Sequence, residues 1–352
     1  MELPLPPEAP MSPLEALRRV CFLLERGRES SYRVDAFRRA IAAIRLVPDD
    51  ELRERVESGT LKQLKGIGDS SAAIIGQALR GVVPAYLASA EEKHGAPLTT
   101  GGQELYAAVR GDLHVHSDWS DGGSPIEEMV LAAVELGQEW MALTDHSPRL
   151  TVANGLSRER LEQQLERVEG IRGSVGAAFT LLTGIEVDIN LDGSLDQDDD
   201  LLERLDVVTA SVHSKLRQPA YEMTPRMLAA VRNPHTNVLG HCTGRLVTGG
   251  RGTRPQSQFD AEKVFRACLE HGVAVEINSR PERCDPPDEL VELARDLGCL
   301  FAIDSDAHAP GQLDMKAYGC ERAERLGIPA ERIVTTWSAE EVRDWAGSRV
   351  SA

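Results

Sequence analysis

Apolar residues recur every three or four positions through most of the first ninety residues, a spacing that predicts helices. The clearest case is LEALRRVCFLLERG, which follows Ser12-Pro13, a pair typical of a helix N-terminus. Similar spacing predicts helices over about 32–46 and over 50–58, the latter ending at Gly59. LKQLKGIGDSSAAIIGQAL is predicted to form a helix, a tight turn and a second helix. Residues 1–90 therefore predict a small all-α domain.

The pattern changes after residues 91–110, a stretch with Gly, Pro and Thr that we interpret as a linker containing one helical turn. From Gly111 onward, seven short runs typical of strands alternate with amphipathic segments able to form helices. The runs are DLHVH, WMALTDH, LLTGIEVDI, LDVVTASVH, TNVLGH, VAVEINS and LFAIDSDAH. Seven β/α repeats predict an α/β fold in which residues 111–352 form a closed parallel (β/α)7 barrel rather than an open sheet.

The formal net charge of −17 argues against a general binder of nucleic acid or anionic membranes. The charge is uneven, because residues 1–95 carry 14 Lys/Arg and 14 Asp/Glu, whereas the remaining 25 Lys/Arg and 42 Asp/Glu account for the whole deficit. Within the neutral part, residues 14–45 hold eight arginines against four acids. Such a local excess is compatible with a phosphate-bearing partner and equally with an ordinary solvated helix surface.

The six cysteines include no CxxC pair and no regular framework, which is typical of reduced thiols in a cytosolic protein. The first residues, MELPLPPEAPMSP, show no signal-peptide pattern, and no run approaches the roughly 18 apolar residues that a membrane span needs. The sequence therefore predicts a cytoplasmic protein without a membrane partner.

Histidines and acids cluster where the predicted strands end. In parallel β/α barrels these carboxyl ends share one rim, and strand alternation places His114 and His116 on the same face. A single histidine at a strand end is usually structural, but six of the nine histidines at such positions, together with acids, favour a metal site. His94, His235 and His271 fall elsewhere and are interpreted as ordinary residues. The candidate ligands are His114, His116, Asp121, His146, Glu186, His213, His241, Asp306 and His308.

Nine ligands are too many for one zinc ion, which is usually four-coordinate, and predict two or three divalent ions. Glu186 is the expected bridging carboxylate. Nitrogen and oxygen donors without sulfur favour Mn, Fe or Zn over Mg or a thiolate zinc site.

The motifs DLHVHSDWSDG, ALTDHS, GIEVDI, ASVHSK, LGHCTGR, EINSRPERCD and DSDAH resemble those of the polymerase and histidinol phosphatase (PHP) family, in the version attached to bacterial family X DNA polymerases. The resemblance covers about 111–345 and implies a distorted seven-stranded barrel with a trinuclear metal centre that hydrolyses phosphoesters. It implies one ion held by His114, His116, Glu186 and Asp306, a second by Glu186, His213 and His241, and a third by Asp121, His146 and His308.

Residues 12–90 resemble the small helical lyase domain of the same polymerases, with LKGIGDSSAAI as its helix-hairpin-helix. Glycines around Ile67 allow a turn that presents backbone N–H groups to DNA phosphate. The candidate DNA contacts are Gly66, Ile67, Gly68, Lys65 and Arg33. Ile74 stands where the family has its Schiff-base lysine, and Phe37 where it often has an aromatic hydroxyl, so lyase activity is not expected.

About twenty residues separate the two regions, where the family X enzymes have a palm, fingers and thumb, so this chain is not a polymerase of that type. We expect a metal-dependent phosphoesterase, foremost a 3′–5′ exonuclease or 3′-end processing phosphodiesterase in DNA repair. The alternatives are a small-molecule phosphatase of the histidinol-phosphatase type and a non-catalytic DNA-binding adaptor.

Four residues are predicted to take part in this hydrolysis: Glu186 and His213 by positioning ions, and Lys215 and Arg245 by binding phosphate oxygens. Arg280 and Arg283 of NSRPER are further candidates for the phosphate. A surface salt bridge is the alternative explanation for each of these cations.

Overall fold

The computed structural model describes residues 10–249 and 252–348. The chain divides into two compact units. The helical unit comprises Met1–Pro97 with Ala309–Gln312, and the barrel unit comprises Leu98–His308 with Leu313–Ala352. The first nine residues, for which no signal segment was predicted, lie outside the described residues.

From residue 10 onward, the helical unit contains five α-helices: α1 (Pro13–Arg26), α2 (Ser31–Ile44), α3 (Asp49–Glu57), α4 (Asp69–Leu79) and α5 (Ala85–His94). Ser12 caps α1 in a capping box, because its Oγ accepts from the Glu15 N–H at 3.2 Å and the Glu15 carboxylate accepts from the Ser12 N–H at 2.7 Å. The helices predicted around 14–26, 32–46 and 50–58 are thus confirmed. The helix predicted before the glycine turn is wrong: Leu61–Gln63 forms one 3-10 turn, and Gly66 at φ 103° cannot continue a helix.

The barrel unit alternates helices with short parallel strands. Its helices are α6 (Gln103–Ala108), α7 (Ile126–Glu135), α8 (Arg158–Val175), α9 (Asp199–Leu202), α10 (Ala220–Arg232), α11 (Ala261–His271), α12 (Asp288–Leu297), α13 (Lys316–Arg325) and α14 (Ala339–Ser348). Its strands are β1 (Trp140–Leu143), β2 (Thr180–Asp188), β3 (Val207–Ser211), β4 (Val238–Leu239), β5 (Ala274–Asn278) and β6 (Phe301–Asp304). They pair in parallel, in sequence order, into one curled six-stranded sheet. The α/β class is confirmed, and α6 lies inside the segment predicted as a linker.

The run DLHVH, predicted as the first of seven strands, is not a regular strand, so the described part of the chain has six. Val115 alone forms parallel bridges to both Leu143 and Ala307, which joins the two edges of the sheet. Two backbone N–H groups of this run donate to side chains instead of to a neighbouring strand. The Leu113 N–H donates to the Asp304 carboxylate at 2.9 Å, and the Val115 N–H donates to the Thr144 hydroxyl at 2.8 Å. Because these amides are used in this way, a continuous ladder cannot form.

Alternation along the strands separates the core from the site. In β2, Ile185 and Val187 are fully buried in a hydrophobic cluster with residues of α10 and α11. Glu186 and Asp188 point to the opposite face of the sheet. No helix in the described stretches is both long and apolar enough to cross a membrane.

Candidate metal centre

The structure brings all nine predicted ligands into one cluster at the carboxyl ends of the strands. His146 follows β1, Glu186 lies in β2, and His213 and His241 follow β3 and β4. The remaining side chains come from the bridging run, from the loop after it and from the segment after β6: His114, His116, Asp121, Asp306 and His308. Neighbours in space are thus supplied by segments as far apart as residues 114 and 308.

The Glu186 carboxylate is the hub of the cluster. Its Oε2 lies 2.8 Å from His146 Nδ1 and its Oε1 lies 2.9 Å from His241 Nε2. Three further imidazole Nε2 atoms lie near the same carboxylate: His213 at 3.2 Å, His114 at 3.3 Å and His116 at 3.6 Å. Five imidazoles around one buried carboxylate support its predicted bridging role.

Two aspartates extend the cluster. Asp121 Oδ1 lies 3.4 Å from the Nε2 atoms of both His146 and His308. Asp306 Oδ1 lies 3.6 Å from His116 Nε2 and 4.0 Å from His114 Nε2. Asp121 therefore faces imidazoles from two different strand ends, whereas Asp306 faces two imidazoles from the run around Val115.

Buried donor and acceptor atoms in this cluster fit divalent cations. Among the residues that the structure describes, both oxygens of Glu186, both ring nitrogens of His116 and of His241, and Nε2 of His114 are buried without a hydrogen-bond partner. Burying such atoms unpaired is costly, and a cation would satisfy them. Three overlapping groups have ligand atoms within 4.8 Å of one another: His116 with Asp121, His146 and His308; His114 with His116 and Glu186; and His146 with Glu186 and His213.

The protonation states of His116 and Glu186 also suit a metal. Burial lowers the pKa of His116 well below its usual value, and the nearby His308 and His146 rings lower it further, so the ring is neutral and one of its nitrogens has a lone pair for a metal. Burial raises the pKa of Glu186, but the surrounding imidazoles of His213, His114 and His146 outweigh it and hold that pKa well below its usual value. An ionised carboxylate surrounded by imidazoles is the donor set that Mn, Fe and Zn accept.

Sequence comparison agrees with this geometry. The chain matches the PHP domain family over residues 112–280 and a helix-hairpin-helix domain over residues 11–81. Residues 112–280 form a PHP domain. The predicted family is therefore confirmed.

This chain covers different fractions of the length of its relatives. It is 36% identical over 234 residues to the DNA polymerase/3′-5′ exonuclease PolX of Bacillus subtilis, which covers 66% of this chain and 40% of that protein. It is 27% identical over 237 residues to a "Probable phosphatase" of Thermoanaerobacter sp. (strain X514), covering 64% of this chain and 89% of that protein. Among solved structures, histidinol phosphate phosphatase from Lactococcus lactis, complexed with Zn, L-histidinol and phosphate, matches with 19% identity and a TM-score of 0.46, covering 62% of this chain and 92% of the other.

Sequence reasoning missed Glu276, which supports two histidines of the PHP domain from β5. Its Oε1 lies 2.5 Å from His114 Nδ1, and its Oε2 accepts from the His241 backbone N–H at 2.5 Å and from Asn278 Nδ2 at 3.1 Å. The side chain is fully buried. The available signal was an acid within the apolar run VAVEIN, because a strand rarely buries a carboxylate without a partner.

Asp145, beside His146, was missed as well. It is buried and accepts from the hydroxyls of Ser117 at 2.6 Å and Ser120 at 2.5 Å, and from the Gln164 amide at 2.7 Å. These bonds tie the end of β1 to the loop that carries Asp121.

Of the four cations predicted to bind phosphate, two contact the cluster of predicted metal ligands. Arg245 Nε donates to the carbonyls of Cys284 at 3.0 Å and Arg283 at 3.2 Å, so this side chain holds a loop in place. Lys215 is exposed, with a backbone φ of 54°. Arg283 Nε lies 3.1 Å from Asp306 Oδ2, and Arg280 Nη1 lies 3.3 Å from His308 Nδ1. Arg280 and Arg283 thus reach the cluster, and binding of phosphate by any of the four stays a prediction.

In the helical unit, the glycine turn uses part of its own hydrogen-bonding capacity. The Ile67 N–H donates to the Leu64 carbonyl at 3.1 Å, and the Gly68 N–H donates to Ser71 Oγ at 2.9 Å. A Cβ at Gly66 would lie 2.8 Å from the Arg39 carbonyl oxygen, so this position requires glycine. These two N–H groups are therefore engaged within the hairpin rather than directed at a ligand.

The side chains predicted to meet DNA are accessible. Lys65 is exposed, and so is Arg33, which pairs with Glu29 at 3.0 Å. Ile74, at the position of the family's lysine, is fully buried, and Phe37 is 3% exposed against Tyr86. Both positions where the resemblance would place lyase residues are therefore part of the hydrophobic core. Binding of DNA by this unit stays a prediction.

Proposed function

We propose that this protein is a metal-dependent phosphoesterase that trims or processes DNA 3′ ends, acting as a 3′–5′ exonuclease or phosphodiesterase. The carrying observation is the cluster of nine metal-type ligands around Glu186, in a chain that also carries a helix-hairpin-helix domain. The exonuclease relative supports the same assignment, although the chain spans only 40% of that protein's length.

The residues of the chain would have separate roles in this reaction. The histidines and acids around Glu186 would hold the ions, each imidazole binding in its neutral form. Divalent ions in such a site supply Lewis acidity that activates water and neutralises charge on phosphoryl oxygens. Arg280 and Arg283, held against Asp306 and His308, add positive charge where a phosphate would approach.

A small-molecule phosphatase is the second candidate. The probable phosphatases are matched over 87–90% of their own length, so the barrel by itself accounts for those proteins. In that case the helical unit would take no part in substrate recognition. A non-catalytic adaptor is disfavoured because every predicted ligand is present and clustered.

The decisive assay offers both substrates to the purified full chain with Mn²⁺. 5′-labelled single- and double-stranded DNA is followed for laddered 3′ shortening, and histidinol phosphate is followed for phosphate release. We expect shortening of DNA, with His114→Ala and Asp306→Ala each lowering the rate by about 100-fold or more, since even residues that merely support ligands cost 10–100-fold.

His271→Ala is the matched control, because it removes an imidazole from α11, outside the cluster. It should retain the full rate on DNA. Phosphate release from histidinol phosphate without any cleavage of DNA would reject the nuclease assignment in favour of the phosphatase. No turnover of either substrate, with no divalent ion retained by the protein, would reject both.

A further inference from the structure

Four arginines line one cavity beside the candidate metal centre. The cavity has a volume of about 460 Å³, and the arginines are Arg245, Arg280, Arg322 and Arg325. Three acids also line it, Asp288, Glu289 and Glu321, which leaves one net positive charge (4 − 3). This cation-rich wall lies in a part of the chain, residues 96–352, that carries 42 acids against 25 bases.

Arg322 is the most informative of the four. Only 9% of its surface is exposed. Its Nε and Nη2 both donate to Asp288 Oδ1, at 3.2 and 2.9 Å. Nη2 also donates to the Pro286 carbonyl. Its Nη1 is buried and has no hydrogen-bond partner among the described residues. A guanidinium held at two nitrogens, with the third buried and unpaired, is arranged to donate to an acceptor that the chain does not supply.

Two residues line this cavity and also contact the metal cluster. Arg280 lines the cavity, and its Nη1 lies 3.3 Å from His308 Nδ1. Asn278 also lines it and donates to Asp306 Oδ2 at 3.0 Å. An anion in the cavity would therefore lie next to a group bound at the cluster, close enough to belong to the same molecule.

We propose that this arginine-lined cavity binds a second phosphate of the substrate, one linkage away from the phosphoester that is hydrolysed. The proposal rests on the phosphoesterase function proposed above. Guanidinium groups suit phosphate because their planar fork donates two parallel hydrogen bonds to it. The substrate class is then a molecule with two phosphates joined through a sugar, supplied by the end of a DNA strand or by a free nucleoside bisphosphate.

The kinetic test compares two dinucleotides, TpT and its 5′-phosphorylated form pTpT, with the full chain and Mn²⁺. We expect kcat/KM for pTpT to exceed that for TpT by about tenfold, the order of one charge-assisted pair of hydrogen bonds. Arg322→Gln and Arg325→Gln should each reduce this ratio toward one. Arg266→Gln removes an exposed arginine on α11 that does not line the cavity, and it should keep both the rates and the ratio.

A binding test keeps the proposal separate from turnover. The affinities of thymidine 3′,5′-bisphosphate and thymidine 3′-monophosphate are measured by calorimetry with the wild-type chain. If neither dinucleotide is cleaved, the phosphoesterase function fails, while about tenfold tighter binding of the bisphosphate, lost in the arginine variants, still supports the cavity.

If Arg322→Gln does not fold, Arg325→Gln provides the test, because the Arg325 side chain is 54% exposed and its replacement leaves the core unchanged. A preference seen with both pTpT and the bisphosphate assigns the site to any second phosphate. A preference confined to pTpT assigns it to a nucleic-acid strand. Equal affinity of the wild-type chain for mono- and bisphosphate, together with equal rates on the two dinucleotides, would overturn the proposal.

Discussion

Glu276 contacts two of the predicted metal ligands without belonging to the predicted set. Its carboxylate lies 2.5 Å from His114 Nδ1 and accepts from the His241 backbone N–H. With Nδ1 held in this way, the other ring nitrogen of His114 faces Glu186. Carboxylates that support metal-binding histidines orient the ring and raise its basicity.

We predict that Glu276→Gln lowers the affinity for Mn²⁺ by about 10–100-fold, because the amide supports the imidazole less strongly than the carboxylate does. Calorimetric titration of the metal-depleted full chain measures it. Glu270→Gln makes the same chemical change at an exposed position on α11 and should leave the affinity unaltered. An unchanged affinity in a normally folded Glu276→Gln protein would show that the carboxylate does not support the ligands.

At the scale of elements, α6 packs against α13 through a glycine. Gly102 precedes α6 with φ 77°, and a Cβ there would lie 2.4 Å from the Glu321 backbone nitrogen. Its N–H donates to Glu324 Oε2 at 2.7 Å. The short helix can approach α13 this closely only because residue 102 has no side chain.

Replacement by alanine at two glycines separates backbone strain from steric contact. Gly137 has nearly the same φ, 76°, but nothing lies within 4 Å of its added Cβ. We expect Gly137→Ala to lower the free energy of unfolding by about 1 kcal/mol and Gly102→Ala by about 3 kcal/mol, the excess arising from overpacking against α13.

Urea unfolding followed by tryptophan fluorescence measures this difference in the barrel unit, which contains all four tryptophans: Trp119, Trp140, Trp337 and Trp345. Equal losses for the two variants would mean that α13 moves away to accept the methyl group.

At the scale of the whole molecule, the charge distribution opposes a polyanionic substrate. The net charge of −17 arises entirely after residue 95, whereas the region before it is neutral. Part of its arginine excess is used internally, since Arg19 pairs with Glu91 at 2.6 Å and Arg38 with Glu25 at 2.9 Å. The proposed binding of DNA would therefore depend on exposed cations such as Lys65 more than the arginine count suggests.

We predict that Lys65→Glu and Arg33→Glu each reduce turnover of DNA by about tenfold. In a plot of the logarithm of the DNA-binding constant against the logarithm of salt concentration, each variant should also reduce the steepness of the slope by about one, because each phosphate contact releases a counterion. Hydrolysis of bis-nitrophenyl phosphate, which has no strand to bind, should not change. Arg266→Glu, an equal charge change on α11 of the barrel unit, serves as the control. A loss on both substrates, or an equal loss in the control, would exclude a guiding role for the helical unit.

Local pattern was enough for most elements and for finding the nine side chains that cluster around Glu186. Apart from the one predicted before the glycine turn, the helices predicted from apolar spacing in the helical unit appear where expected, because that spacing reports the buried face directly. The run around Val115 has a strand-like composition, but its amides bond to side chains of Thr144 and Asp304, which come from distant parts of the chain. Local pattern contains no information about such partners.

The sequence by itself determined which residues could bind metal and that they share one rim, because parallel strands necessarily bring their carboxyl ends together. Only the tertiary structure decided that Glu276 lies behind His114, that Arg245 supports a loop, and that Arg322 has a buried nitrogen without a hydrogen-bond partner among the described residues. These roles depend on distances between side chains from different strands and helices, which are set by the packing of the whole barrel unit and not by any segment of it.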